Sequence, residues 1–252
     1  MECLIKIRLN KKIHLTGRLR GPLKKPLVIF VHGLTGNMDE HIFYNGARYF
    51  EGHGISSFRF NLYDWTQGTR KLDISTLALH ASDLDFVVKY FRKRGAKKIF
   101  VVGHSYGGPT IMKSKDKDFQ GVIFWDPSFF TLKYFLESKW LPSIKMYLCR
   151  WAYPVLLSKK YVEEARRTNT LALIQKLAMP IKIITAGKGV LVKTSKKYFK
   201  ALNVPKELVI LDGATHCFDE DGYEEKLFSE TLSWVRRCCS MAKINLNDSY
   251  DH

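Results

Sequence analysis

Ser105 stands between two glycines in Gly103-His104-Ser105-Tyr106-Gly107, and an apolar run, Ile99-Phe100-Val101-Val102, leads into it. A serine placed this way, at the exit of a buried strand and the entry to a helix, sits on a sharp turn that lifts its hydroxyl above the sheet edge. The glycines answer a steric need. Residues two before and two after the serine crowd each other, and a Cβ at either place would clash. The chemistry such a turn supports is nucleophilic catalysis. A serine hydroxyl attacks poorly near neutral pH unless a base lies within hydrogen-bond reach and an acid orients that base. Of the eight histidines, His216 is the candidate base. It lies in Asp212-Gly213-Ala214-Thr215-His216-Cys217-Phe218, directly after a strand expected over 207–211. Parallel strands deliver their following loops to one sheet edge, so that loop can meet the serine turn. His104 flanks the serine but points elsewhere, since neighbours in so tight a turn diverge.

The oxyanion of an acyl-transfer intermediate needs two backbone N–H donors. Tyr106, directly after the nucleophile, supplies one. The loop after an earlier buried strand supplies the other, and His32-Gly33-Leu34 places the Leu34 N–H there.

The elements that hold these groups follow from hydrophobic periodicity. Residues 2–9 and 12–19 alternate apolar and polar, as a half-exposed antiparallel hairpin does. Continuous apolar runs at 27–31 and 99–102 read as buried parallel strands, and 55–60, 119–125, 181–186 and 207–211 read as further strands. Helical patterns over 38–51, 74–94, 195–202 and 223–238 alternate with them. The expected fold is α/β, a mostly parallel sheet with helices on both faces. Residues 128–178 have a different texture. They are rich in Lys, Arg and aromatics (Phe129, Phe130, Tyr134, Phe135, Trp140, Tyr147, Trp151, Tyr153) and carry no clear strand. Two or three short helices broken by Pro142 and Pro154 fit this stretch, as a small helical cap inserted after the sixth strand. The division is then a core of 1–127 and 179–240, a cap of 128–178, and a polar, frayed tail of 241–252.

The chain has 252 residues, enough for one α/β domain with a small insertion. No apolar stretch approaches 18 residues, so no integral membrane segment is expected, and the N-terminus lacks the apolar core of a signal peptide. Five cysteines, with spacings that match no zinc or disulfide framework, read as thiols in a reducing cytoplasm. The net charge is +17. The basic residues are scattered, with no long basic run or RNA-binding motif, which argues against nucleic acid. They read as a solvated surface, with attraction to anionic substrates or to a membrane surface as the alternative. No metal or organic cofactor is indicated.

The order His-Gly, Gly-His-Ser-Tyr-Gly-Gly, an insertion, then Gly-Ala-Thr-His resembles the α/β-hydrolase superfamily over about residues 12–240. Within it the chain is similar to cap-bearing carboxylesterases, monoacylglycerol-lipase-like and serine-aminopeptidase-like hydrolases. The resemblance implies the α/β-hydrolase fold with an eight-stranded sheet, nucleophile Ser105, base His216, oxyanion donors Leu34 and Tyr106, and a lid over an acyl pocket. One feature departs from the pattern. The family's acid usually follows the strand after the cap, and here that segment reads Ala186-Gly187-Lys188-Gly189-Val190-Leu191-Val192, without a carboxylate. Asp126, at the end of the strand beside the nucleophile strand, is the candidate replacement, because adjacent parallel strands end side by side. It can equally cap the turn before Pro127. A Ser–His dyad and an inactive site are the other accounts. The loop Asn61-Leu62-Tyr63-Asp64-Trp65 also replaces the family's usual Asp-x-x-Gly-x-Gly and is placed at the entrance.

The expected function is a serine hydrolase that cleaves small-molecule carboxylic esters through an acyl-enzyme. A peptidase, thioesterase or acyltransferase with the same nucleophile, or a non-catalytic binding protein, are the alternatives.

Overall fold

In the computed structural model, which describes residues 2–129, 135–150 and 154–247, the alternating N-terminal stretches pair as an antiparallel hairpin of β1 (Glu2–Arg8) and β2 (His14–Arg20). The strand stretches at 27–31, 55–60, 99–102 and 119–125 become β3 (Leu27–Val31), β4 (Ser56–Phe60), β5 (Ile99–His104) and β6 (Gly121–Trp125), buried along their whole length. Three short strands follow outside this sheet: β7 (Lys139–Leu141), β8 (Met146–Arg150) and β9 (Pro154–Ser158). The chain then returns through β10 (Ile181–Ala186) and β11 (Lys206–Leu211). The main sheet has eight strands in the order β1-β2-β4-β3-β5-β6-β10-β11. Only β1/β2 and β2/β4 pair antiparallel.

Helices α1 (His41–Gly52), α2 (Leu77–Arg92), α3 (Gly107–Lys113), α4 (Lys159–Arg167), α5 (Thr170–Ile174), α6 (Val192–Lys200) and α7 (Tyr223–Asn247) complete the described chain. Successive strand residues point to opposite faces, and the sheet therefore carries two cores. Val101, Val122 and Ile183 pack with Leu84, Val87 and Phe91 of α2. Val102, Ile123 and Trp125 pack with Phe43 and Phe50 of α1 and Phe228 of α7. Each such side chain, fully buried, contributes about 1.5–3 kcal/mol. Thr76 starts α2, its Oγ1 accepting the Leu79 N–H at 3.1 Å. No helix among the described residues is long and apolar enough to cross a membrane.

Two expectations are corrected here. The segment 128–178 is not all helical: β7, β8 and β9 form a three-stranded antiparallel sheet ahead of α4 and α5. Pro142 opens the β7–β8 hairpin turn, in which Lys145 takes a φ of +53°. Pro154 is the first residue of the edge strand β9, where a missing N–H breaks no ladder. The strands escape a period-two reading because both faces of β8 are apolar. The second correction concerns the tail. Helix α7 runs on to Asn247, since nothing from Met241 to Asn247 is Gly or Pro. Of the aromatics noted in the insertion, Phe130, Tyr134, Trp151 and Tyr153 lie outside the described residues, as do 248–252 of the tail.

Candidate active site

Ser105 follows β5 and precedes α3, with a φ of +52° that L-residues adopt at a cost. The turn is as tight as its glycines imply. A Cβ on Gly107 would lie 2.2 Å from the Val31 carbonyl oxygen, and one on Gly103 would lie 2.8 Å from the Gly107 carbonyl carbon. The strain is held by bonds on every side. Ser105 N–H donates to the Trp125 carbonyl at 3.0 Å, and the Ser105 carbonyl accepts from Gly108 and Ser128 at 3.1 and 3.0 Å.

The β5/β6 register pairs His104 with Trp125, so Ser105 and Asp126 leave their strands side by side. Asp126 is fully buried and also has a positive φ, +37°. Its Oδ1 accepts from Thr185 Oγ1 at 2.6 Å and from Ala186 N–H at 3.1 Å, both at the end of β10. Its Oδ2 lies 2.5 Å from Nδ1 of His216. A carboxylate facing Nδ1 fixes the proton on that nitrogen, which leaves Nε2 as the acceptor. His216 sits in the loop after β11, which Phe218, fully buried, pins to the core. Its ring is about a third exposed (36%), whereas the Asp126 carboxylate is sealed from water (0%). The structure thus brings Asp126 and His216 into contact.

The His32-Gly33-Leu34 loop presses on the same point. A Cβ on Gly33 would stand 3.0 Å from Cβ and 3.5 Å from Oγ of Ser105. His32 holds the loop from within. Its Nδ1 donates to the Gly33 carbonyl at 2.8 Å, and its Nε2 accepts the Leu62 N–H at 3.0 Å. Burial pushes this imidazole down to about 4, so it stays neutral in that role. The loop after β4 therefore braces the His32-Gly33-Leu34 loop: Tyr63 adds a bond to the Gly33 carbonyl at 3.3 Å and an edge-on contact with His32. Trp65 of the same loop points into solvent. Among the described residues, neither the Leu34 nor the Tyr106 N–H donates a hydrogen bond. The side chains of both pack in one apolar cluster with Phe135, Leu157 and Tyr161.

Sequence reasoning missed four contributors. Ser128 Oγ lies 3.1 Å from Ser105 Oγ and is the nucleophile's one hydrogen-bond partner among the described residues; no motif marks it. His104 does point away from the serine, but its Nε2 donates to the His216 carbonyl at 2.9 Å, and the two rings lie 4.7 Å apart. Burial, aided by His216, pushes His104 down to about 3, so it braces the loop as a neutral donor. Gly189, in the segment that lacks the usual acid, faces Asp126 Oδ2. Glu40, whose carboxyl burial pushes up, lies within electrostatic reach of His216. No group of His, Cys, Asp and Glu among the described residues is placed to hold a metal ion.

The model of the alpha/beta hydrolase family matches residues 28–225. Est1E from Butyrivibrio proteoclasticus, solved with ferulic acid bound, superposes with a TM-score of 0.81 at 22% identity, covering 94% of this chain and 99% of that one. A dienelactone hydrolase from Anabaena variabilis gives 0.70 at 16% identity, covering 94% and 97%. Alpha/beta hydrolase domain-containing protein 10 from mouse gives 0.75 at 14%, covering 93% and 99%. No curated protein matches the sequence. The family match spans the serine turn, the inserted segment and the His216 loop on the eight-stranded, mostly parallel sheet, and this chain belongs to the alpha/beta hydrolase family.

Proposed function

We propose that the protein is a serine hydrolase of small-molecule carboxylic esters. Ser105 Oγ attacks the ester carbonyl carbon as His216 Nε2 takes its proton. The tetrahedral oxyanion is met by the N–H groups of Leu34 and Tyr106. Collapse breaks the bond to the alkoxide oxygen, which leaves with the proton from His216. Water, deprotonated by the same imidazole, then releases the acid from Ser105. Asp126 holds the His216 tautomer and stabilises the imidazolium as it forms. In this reading 128–178 is a cap, and the apolar cluster around Tyr106 and Phe135 borders the acyl side.

The observation that carries the proposal is the 2.5 Å bond from His216 Nδ1 to a sealed carboxylate. It supplies the acid that the segment after β10 lacks, and it weighs against a dyad and a non-catalytic module. The test is labelling by a fluorophosphonate, with Ser105→Ala as control, together with a panel of p-nitrophenyl esters. Hydroxycinnamoyl esters belong in the panel because Est1E holds ferulic acid. Thioesters and peptide amides in the same panel separate the other acceptors. Absence of both labelling and ester turnover would overturn the proposal.

A further inference from the structure

The three-stranded sheet in the insertion carries apolar side chains on both faces, and among the described residues the buried cluster around Tyr106 and Tyr161 covers one of them. Cross-strand pairing fixes which residues share a face. Tyr147 stands opposite Trp140 and Leu157, and Cys149 opposite Val155. Cys149, Val155 and Leu157 are buried against Tyr106 and Tyr161, with Tyr147 packed on the same cluster. The other face pairs Leu141 with Met146, and Leu148 with Leu156. Antiparallel sheets with one solvated face ordinarily place polar residues there. Here Leu141, Met146, Leu148 and Leu156 stand among the polar residues of that face, and Leu156 is 41% exposed. Ile144 at the hairpin turn (49%) and Leu136 ahead of β7 (61%) are further exposed apolar side chains of the same segment.

The surroundings of this face are cationic. Lys139 and Arg150 lie on it, opposite Leu148 and Pro154. Lys145 is in the turn, and Lys159 and Lys160 follow β9 directly. All five are exposed. Lys139, Lys145, Arg150 and Lys160 form no ion pair among the described residues, while Lys159 reaches Glu163 at 3.8 Å. Lys159 and Lys160 also border a cleft of about 720 Å³ in which Lys113, Arg167 and Lys176 outnumber Glu163 and Glu164.

We propose that this face docks on an anionic lipid surface, the aliphatic side chains entering the headgroup boundary and the lysines and Arg150 meeting lipid phosphates and carboxylates. A second copy of the chain is disfavoured, since it would set cation against cation on a molecule of net charge +17. Among the described residues the face is aliphatic and cation-rimmed, without the aromatic anchors that mark protein interfaces, and that composition suits a lipid interface. The reverse of the same sheet lies on Tyr106, beside the serine turn. The docking itself does not rest on the proposed hydrolysis.

The test is co-sedimentation of the full chain with phosphatidylcholine vesicles, with and without phosphatidylserine. The wild type is expected to sediment with the anionic vesicles, to release as salt rises, and to ignore phosphatidylcholine alone. Lys139→Gln and Lys145→Gln should each weaken partitioning about fivefold. Ile144→Glu with Leu156→Glu should abolish it. All three variants should keep the wild-type circular dichroism and the wild-type rate, whatever it is, on a soluble short-chain ester. Equal binding to neutral vesicles, no binding to anionic ones, or binding undiminished in the double glutamate variant would each overturn the proposal. So would a wild-type dimer in light scattering that the glutamates dissolve, since the face would then be a self-association surface.

Discussion

Gly189 packs against the Asp126 carboxylate: a Cβ placed on it would stand 3.5 Å from Oδ2, the atom bonded to His216. The position after β10 that carries no acid and the position after β6 that carries one thus converge on the Nδ1 edge of the same ring. If Asp126 orients His216, Asp126→Asn should lower kcat by about 10⁴, with the urea midpoint little changed. Moving the carboxylate should undo part of that. Asp126→Gly combined with Gly189→Asp is expected to recover about a hundredfold over Asp126→Asn, since glycine accepts the positive φ at 126. A fall of less than about tenfold in Asp126→Asn would assign the work to a dyad.

Ser128 gives a second measurement. Its hydroxyl is the sole hydrogen-bond partner of Ser105 Oγ among the described residues, so it sets where the nucleophile rests and can donate to Oγ as negative charge builds there. Ser128→Ala should lower kcat/KM for p-nitrophenyl acetate and the fluorophosphonate labelling rate together, each about tenfold. Ser128→Thr should restore both. Unchanged labelling in Ser128→Ala would make the contact incidental.

The buried histidines carry a pH dependence of stability. Burial pushes His32 down to about 4 and His80, with help from His32 and Arg70, to about 3. Unfolded, both titrate near 6.5. Between the two values the unfolded chain binds more protons, so stability is full above about pH 6.5 and falls as the pH drops toward the folded values. Each should cost about 2 kcal/mol by pH 5. His80 has no hydrogen bond to either ring nitrogen, so His80→Leu removes the titration without breaking a bond. Urea midpoints at about pH 7 and about pH 5 should differ less in His80→Leu than in the wild type. An identical difference would refute the assignment.

Gly107 and Gly52 form a matched pair for the steric claim. With the Val31 oxygen 2.2 Å from its would-be Cβ, Gly107→Ala should lose about 3 kcal/mol or more. Gly52, at the end of α1, has nothing within 4 Å, and Gly52→Ala should be neutral or gain up to about 1 kcal/mol. Equal effects in thermal unfolding would remove the elbow's steric rationale.

The sequence exposes contacts made by backbone sterics more readily than contacts made by side-chain direction. The Gly103 and Gly107 spacing is legible because it is a requirement of the turn itself, and the pure apolar runs of β3, β5 and β6 are legible because both faces are covered. Asp126 could be named once the family resemblance showed no acid after the strand past the insertion, and strand adjacency fixes where that residue leaves the sheet. Ser128 and the His104 bond were out of reach, since each depends on which way one side chain leaves a loop. The strands β7–β9 were hidden for a related reason. With Leu148 facing out and Cys149 facing in, hydrophobicity does not alternate, and a two-sided apolar sheet looks like a broken helix.

Placing the acid on β6 also changes what the loop after β10 is free to become. If Ser105 and Asp126 both hang from the β5/β6 pair, 21 positions apart, no reacting group is anchored in 187–191. Val190 there is 82% exposed. Gly187 and Lys188 bond to the Leu211 and Ala214 carbonyls and Gly189 faces Asp126, so Val190 is the place where a label can be attached while the site keeps its geometry.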